Sequence, residues 1–448
     1  MSYFNKVLIA NRGEIARRII RTCRRLGIET VAIYSEADAQ APFVSEASEA
    51  VCVGPAQAKK SYLDIEKVIQ AAKQTKADAI HPGYGFLSEN PQFAERCEAE
   101  NIVFIGPSAD VMKIMGSKLE ARDHMQRAGV PVVPGSDGQI HSVEEATAIA
   151  NELGYPLMLK ASAGGGGIGM QLVQNQEELE KAFHSTIQKA ESFFNDGAVF
   201  LEKWISDPRH IEVQVAADDF GNVVHLYERE CSVQRRNQKV VEESPSPFLD
   251  ESLREQLLET AIQGAKEIGY TNVGTMEFIF DNNKNFYFLE MNTRLQVEHP
   301  VTEEITGIDL VEWQLRIAAG QQLPLGQEQI SRTGHAIECR LYAEDPKTFF
   351  PSPGTIEQLK LPEEGVRLDF SVTEGSVVSP FYDPMIGKVI VHGASRAQAI
   401  EKMKQALAGM EVHGLQTNLA LLASIMENRQ FEEGDYTTQF LEKAKILS

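Results

Sequence analysis

Four consecutive glycines stand inside the run Lys160-Ala-Ser-Ala-Gly-Gly-Gly-Gly-Ile-Gly-Met170, and this run constrains the fold more than any other stretch. No helix or strand passes comfortably through so many residues without a Cβ. The flanks, Leu157–Lys160 and Met170–Val173, are strand-like, so the segment predicts two strands joined by a loop of unusual backbone freedom. Backbone N–H groups in such a loop can approach phosphate oxygens closely. Gly164, Gly166 and Gly169 match the spacing G-x-G-x-x-G, but a dinucleotide fingerprint follows a strand and opens a helix, whereas this run leads into another strand. A Walker loop is also excluded at Gly116-Ser117-Lys118, because Val111 occupies the place of its leading glycine. A phosphate-holding loop between two strands is the reading, against a ligand-free hairpin.

The surrounding chain supplies the frame. Lys6–Ala10 is an apolar strand. A helix over Glu14–Leu26 carries Ile15, Ile19, Ile20, Cys23 and Leu26 at helical spacing, and Ile28–Tyr34 is the next strand. A helix at Ile65–Lys73 and strands at Ala77–Ile80 and Ile102–Ile105 continue the alternation. It predicts a doubly wound parallel sheet, Rossmann-like, over 1–115. A helix is expected over Val143–Leu153, beside the glycine loop. A second region over 116–320 reads as a meander of strands with helices, and a third over 330–448 is rich in β and turn signals.

Three domains suit 448 residues. The formal charge of −21 disfavours nucleic acid and anionic membranes, so an anionic substrate would need a locally basic pocket. No apolar run approaches the ~20 residues that cross a bilayer, and the opening MSYFNKVLIANRG lacks the features of a signal peptide. A cytoplasmic protein is expected. Its five scattered cysteines are read as reduced thiols, since no CxxC pair occurs.

Several segments carry chemistry. Thr275–Phe280 and Asn285–Asn292 read as a hairpin about Asp281-Asn-Asn-Lys284. A two- or four-residue loop pairs Glu277 with Phe288. Glu290 and Asn292 then lie on Glu277's face, with Met276, Phe278, Phe280, Tyr287 and Leu289 on the other. Two carboxylates and an amide so placed suit Mg²⁺ shared with phosphates; a bulge would break the parity. If the strand runs on to Pro300, Arg294, Gln296 and Glu298 alternate with Leu295 and Val297. Arginine can fix an oxyanion and a neighbouring carboxylate can act as a base. Glu202 and Lys203 are charges within the apolar strand Phe200–Ile205, and Cys231–Lys239 is a basic stretch in an acidic chain. The arginines at 17, 18, 21, 24 and 25 fall on the polar side of an amphipathic helix and are read as a surface or subunit contact. His81-Pro-Gly-Tyr-Gly85 reads as a tight turn with one polar ring. Lys402 is rejected as a biotin attachment point, because a capping pair Ser395/Gln398 and a stop at Gly409 put it inside a helix.

In this order, these pieces resemble the biotin carboxylase subunit of multisubunit acyl-CoA carboxylases such as acetyl-CoA carboxylase. The likeness runs from Ile9–Ile15 through His81–Asn90 (HPGYGFLSEN), the glycine loop, Gln234–Glu243, Glu290–Thr302 (EMNTRLQVEHPVT) and Gly334–Tyr342 to Phe381–Met385. It implies an α/β protein with an ATP-grasp domain over 116–320, its mobile lid about 132–204, and a C-terminal α+β domain. The implied reaction is ATP- and bicarbonate-dependent carboxylation of biotin, through carboxyphosphate. The biotin would sit on a separate biotin carboxyl carrier protein, and carboxyltransferase subunits and a homodimer are the implied partners. By the same resemblance Lys118, Lys160, Gly166, Gly167 and His210 contact ATP. Glu202, Lys203, Trp204 and Ile205 hold adenine and ribose, with Gln234 and Asn237 beside the nucleotide. Glu277, Glu290 and Asn292 bind Mg²⁺ or Mn²⁺, two ions in all. Lys239, Arg294, Gln296 and Val297 form the bicarbonate pocket. Glu298 is the general base, Arg340 steadies the biotin enolate, and Tyr84 lies at the biotin side.

The sequence departs from the family at Asn237, where histidine is common, and at Ile168 and Gln171, where arginine is common; weaker ATP affinity is expected. A different ATP-grasp ligase, forming an acyl phosphate captured by an amine, is the alternative. A non-catalytic nucleotide-binding protein would be expected to have lost a base or a metal ligand, and none is missing.

Overall fold

The computed structural model of the protein describes residues 3–162, 169–194 and 196–446. Gly164, Gly165, Gly166, Gly167 and Ile168 lie outside the described residues.

The N-terminal sheet has five strands in the order Glu49–Gly54, Glu29–Ser35, Lys6–Ile9, Ala79–His81, Val103–Phe104. All its pairings are parallel, as the strand–helix alternation predicts. The edge strand Glu49–Gly54 is missing from the sequence reading although Ala50–Val53 is a short apolar run; only Val53 of it is buried. In the first helix, Gly13–Arg25, the residues Ile15, Ile19, Ile20 and Cys23 are buried as expected. Arg21, Arg24 and Arg25 are exposed on the polar face as expected, while Arg18 departs from the surface reading. Arg18 is buried and reaches Glu303 at 2.7 Å and Asp309 at 2.9 Å, while Arg21 pairs with Asp369 and Arg25 with Asp309 and Glu312. These arginines dock the helix onto later parts of the same chain. Helical spacing shows which face is polar, not what acidic surface meets it.

Eight antiparallel strands form the central sheet. Their order is Phe286–Asn292, Asn272–Phe280, Arg209–Ala217, Val223–Arg235, Gln238–Ser244, His335–Tyr342, Met385–Gly393 and Arg367–Phe370. A separate three-stranded sheet, Met170–Val173, Leu157–Ala161 and Val199–Lys203, flanks the glycine run. It packs with the helices Val143–Leu153 and Gln176–Phe194 around its own core, which includes Leu157, Leu159, Phe183 and Leu201. Ser142 starts the first of these helices by accepting the Glu145 N–H at 3.1 Å.

Two further expectations need correction. In the hairpin Glu277 lies opposite Glu290 and Asn292 opposite Thr275, with Phe280 opposite Phe286. A register shift at Leu289, between the pairs 277/290 and 278/288, adds one residue to the second strand. The loop, 281–285, has five residues and not the two or four expected, so Glu277 and Glu290 do share a face, but as direct partners. The apolar face gathers Phe286, Phe288 and Met291 in place of Tyr287 and Leu289. The strand also stops at Asn292, and 293–298 is irregular before the helix His299–Thr306. Leu295 still points into the core.

Candidate active site

A cavity of about 840 Å³ opens between the three-stranded sheet and the central sheet. The small sheet contributes Lys160, Glu202 and Lys203, followed by Trp204 and Ile205; Lys118 and Met158 complete that side. The central sheet contributes His210, Gln234, Lys239, Glu277, Glu290 and Asn292, and the 293–298 segment brings Arg294, Gln296, Val297 and Glu298. Arg340 closes the far end from the His335–Tyr342 strand.

The charges in the Val199–Lys203 strand have different tasks. Glu202 is nearly buried, receives Lys160, and lies 3.2 Å from Arg122. The Lys203 ammonium turns away and donates to the carbonyls of Leu153 and Gly154 at 3.1 and 2.7 Å, closing the C-terminus of the helix Val143–Leu153. Burial lowers the pKa of Lys118 against the pull of Glu290. A cation that is costly to keep in such a place suits a phosphate partner.

Glu277 and Glu290 face the cavity as cross-strand neighbours, and Asn292 Nδ2 donates to Glu277 Oε1 at 2.8 Å. Burial opposes the charge of Glu277, yet Lys239 and His210 hold its pKa well below the ordinary carboxylate range. His210 Nε2 lies 2.9 Å from Glu277 Oε2, and the Gln234 amide meets His210 Nδ1 at 2.8 Å. Glu290 is raised, first by burial and then by the charge of Glu277. A divalent cation between the two carboxylates would relieve that repulsion, and the all-oxygen donor set suits Mg²⁺. His210, Glu212 and Glu277 also bring ligand atoms within 4.8 Å of one another. Glu212, however, is already matched by Arg229 and Lys239, both at 2.5 Å.

The other end of the cavity centres on Lys239. Its ammonium reaches Glu212 at 2.5 Å, Glu277 at 2.9 Å and Glu298 at 2.6 Å. Burial would discharge it, but these three carboxylates raise its pKa well above normal, so it stays a cation. Glu298 shares its other oxygen with Arg340 at 3.0 Å. Burial pushes the Glu298 carboxyl up, but Lys239, Arg340 and Arg229 outweigh it and hold the pKa far below normal. The residue is an ionised acceptor held between two cations. Arg340 is itself held by Glu242, Nε to carboxylate at 2.7 Å.

Two buried residues of this network were not singled out from the sequence. Arg229 is fully buried and donates to Glu212, Gln214, Thr275, Gln296 and Thr302. It thereby fixes the side chain of Gln296 behind the pocket. Glu212 lies in Arg209–Ala217, where His210, Glu212 and Gln214 alternate with Ile211, Val213 and Val215 and every residue is buried; that alternation is the signal that was available, and the burial of the polar face is what the sequence does not show.

Tyr84 stands apart from the main cavity wall and gives its hydroxyl to Glu14. Asn237 follows Arg236 in the two-residue turn between Val223–Arg235 and Gln238–Ser244, with φ of 65° and 49° respectively. Asparagine tolerates that backbone well. His81 is a buried ring: Nδ1 accepts from Gly83 N at 3.0 Å and Nε2 meets Gln314, consistent with a tight turn. Lys402 lies within the helix Arg396–Ala408, capped by Ser395.

A small separate sheet packed over a larger antiparallel one, a carboxylate pair suited to a metal, and a cationic pocket around an ionised carboxylate are the arrangement of an ATP-grasp ligase. The family models agree. Residues 3–112 match the biotin carboxylase N-terminal domain, 117–326 the ATP-binding domain of the carbamoyl-phosphate synthase L chain, and 338–443 the biotin carboxylase C-terminal domain. Biotin carboxylase 2 of Bacillus subtilis is 61% identical, with 98% of this chain and 99% of that protein covered. A biotin carboxylase–β-γ-ATP complex from Campylobacter jejuni superposes with a TM-score of 0.96 at 50% identity, covering 98% of this chain and 99% of that one. The biotin carboxylase domain dimer of Hydrogenobacter thermophilus 2-oxoglutarate carboxylase, with MgADP, ADP and bicarbonate, gives a TM-score of 0.95 at 49% identity, covering 99% of each chain. The chain belongs to the biotin carboxylase family, ATP- and Mg²⁺-dependent ligases that carboxylate biotin with bicarbonate.

Proposed function

We propose that Glu298 is the general base of this reaction and that Lys239, Arg294, Gln296 and Val297 hold bicarbonate against it. The observation that carries this reading is the ionised Glu298 carboxylate shared between Lys239 and Arg340 in a cavity wall. Bicarbonate entering between these cations draws them off Glu298, whose pKa then rises toward a working value. Glu298 takes the bicarbonate proton as its oxygen attacks the γ-phosphorus and ADP leaves, giving carboxyphosphate. Lys118, Lys160 and His210 hold the nucleotide phosphates, while Trp204 and Ile205 take the base. Mg²⁺ held by Glu277, Glu290 and Asn292 supplies charge neutralisation on the phosphates. Carboxyphosphate then yields CO₂ and phosphate, the phosphate accepts the biotin N1 proton, and Arg340 steadies the negative ureido oxygen.

The division into 1–115, 116–320 and 330–448 is part of the proposal, with the segment about 132–204 closing over ATP. Its separate core supports movement as a unit. The biotin is proposed to reside on a carrier protein, with a carboxyltransferase downstream, a homodimeric enzyme and a cytoplasmic location. Among the described residues no helix is long and apolar enough to cross a membrane.

The test is ADP release with Mg-ATP and bicarbonate, with and without free biotin, for wild type and Glu298→Gln. Release dependent on bicarbonate and stimulated by biotin, falling at least about 100-fold in the variant, supports the assignment. Activity retained in Glu298→Gln removes Glu298 from the role. A protein that binds ATP but ignores both biotin and a biotinylated carrier would point to an ATP-grasp ligase with an amine acceptor.

A further inference from the structure

The stretch His81–Asn90 delivers Glu89 to the anion pocket from the N-terminal region. Glu89 Oε2 accepts from Arg294 Nε at 2.8 Å. Its other oxygen accepts from Thr293 N at 3.0 Å and lies 3.4 Å from Thr293 Oγ1. Arg294 Nη2 donates to Asn292 Oδ1 at 2.7 Å and Nη1 to the Leu295 carbonyl at 3.3 Å, so the guanidinium is held on three sides. This matters because 293–298 belongs to no strand, and no ladder of backbone hydrogen bonds fixes it.

Two competing anions stand close by. Glu298 and Glu277 both act on the charge of Arg294, after Glu89 itself. A cavity of about 290 Å³, lined by Glu89, Glu290, Asn292, Thr293 and Arg294 among others, leaves the arginine room to turn. A guanidinium that swung onto Glu298 would occupy the base and abandon the substrate.

We propose that Glu89 is a positioning residue that anchors Arg294 on the rim of the pocket, keeping it available to bicarbonate and off Glu298 and Glu277. The inference rests on the reading of Arg294 as a bicarbonate residue.

Glu89→Ala, Glu89→Gln and Arg294→Ala would be compared by bicarbonate and ATP titrations of ADP release, with thermal melting alongside. The Glu89 side chain is 41% exposed, so its truncation should leave the melting temperature unchanged. In Glu89→Ala the bicarbonate KM should rise about tenfold and the ATP KM should hold, because misplacing a contact group by about 1 Å costs up to about 100-fold. Glu89→Gln keeps an acceptor oxygen for Thr293 or Arg294 and should recover most of the loss. A bicarbonate KM within twofold of wild type in Glu89→Ala, with a clear rise in Arg294→Ala, overturns the proposal alone. No change in Arg294→Ala overturns the reading of the pocket on which it rests. A uniform loss in every parameter together with a lower melting temperature assigns Glu89 a merely structural part and also overturns it.

Discussion

Replacing Arg229 with methionine should cost both stability and bicarbonate affinity. Arg229 is fully buried and its donors satisfy one carboxylate, two side-chain amides and two hydroxyls. Methionine fills much of the volume but donates nothing. Glu212 would keep only Lys239, and breaking a buried pair from one side typically costs about 3–5 kcal/mol. At about 2 cal/mol/K of unfolding entropy per residue, that is a fall of roughly 4 °C if the whole chain melts as one, and about twice that if only the central domain does. The second variant Arg229→Met/Glu212→Gln removes the stranded charge and should recover about half of the lost stability. It should not recover bicarbonate affinity, because Gln296 still lacks its donor. Thermal melting and bicarbonate titration of ADP release measure the two effects separately. A melting temperature within about 1 °C of wild type for Arg229→Met, or full recovery of bicarbonate KM in the double variant, would refute the reasoning.

Further expectations can be checked alongside. Burial pushes the Glu230 carboxyl up to about 7 against Arg209, Ser232 and Ser246. The folded state then binds a proton that the unfolded chain, titrating near about 4.3, has released. Stability should therefore fall by about 3 kcal/mol as pH rises from about 4.3 to 7, and denaturant melts of Glu230→Gln should lack that slope. Glu243 behaves oppositely. Burial raises it but His335 and Arg396 bring it down to about 2, so its contribution is present above about 4.3 and vanishes as pH falls toward 2. Glu290→Gln should raise the Mg²⁺ concentration for half-maximal ADP release about tenfold or more, while metal-free ADP binding by calorimetry stays near wild type. Asn237→His should lower the ATP KM by a few-fold, since histidine also tolerates positive φ at that turn; an unchanged KM would count against the weaker nucleotide contact.

Much of this was legible in the sequence because periodicity and turn chemistry report local structure. The first helix, the helix Val143–Leu153 and the strands around the glycine run all lie near where apolar spacing puts them. Among the described residues, every side chain read as belonging to the site lines the main cavity, apart from Tyr84. What failed is what depends on partners distant in sequence. The register shift at Leu289 changes which residues oppose Glu277, and no residue type announces it. Arg18 sits on a polar helix face yet is buried, because its carboxylates lie 285 and 291 residues away. Glu212 escaped because His210, Glu212 and Gln214, alternating with Ile211, Val213 and Val215, read as an ordinary polar face although that face is buried, and Arg229 because Glu228-Arg229-Glu230 interrupts the alternation of its strand.

The central sheet has a practical consequence for anyone who would cut the chain. Residues near 330 look like a natural place to separate the ATP-binding half from the rest, yet Gln238–Ser244 pairs directly with His335–Tyr342 across that point. Severing there would leave two raw edges of unpaired backbone, each a template for aggregation. It would also separate Glu298 from Arg340, which share one hydrogen bond from opposite sides of the cut. Neither fragment would hold a complete reaction centre, so truncations that aim to simplify the enzyme should spare this seam.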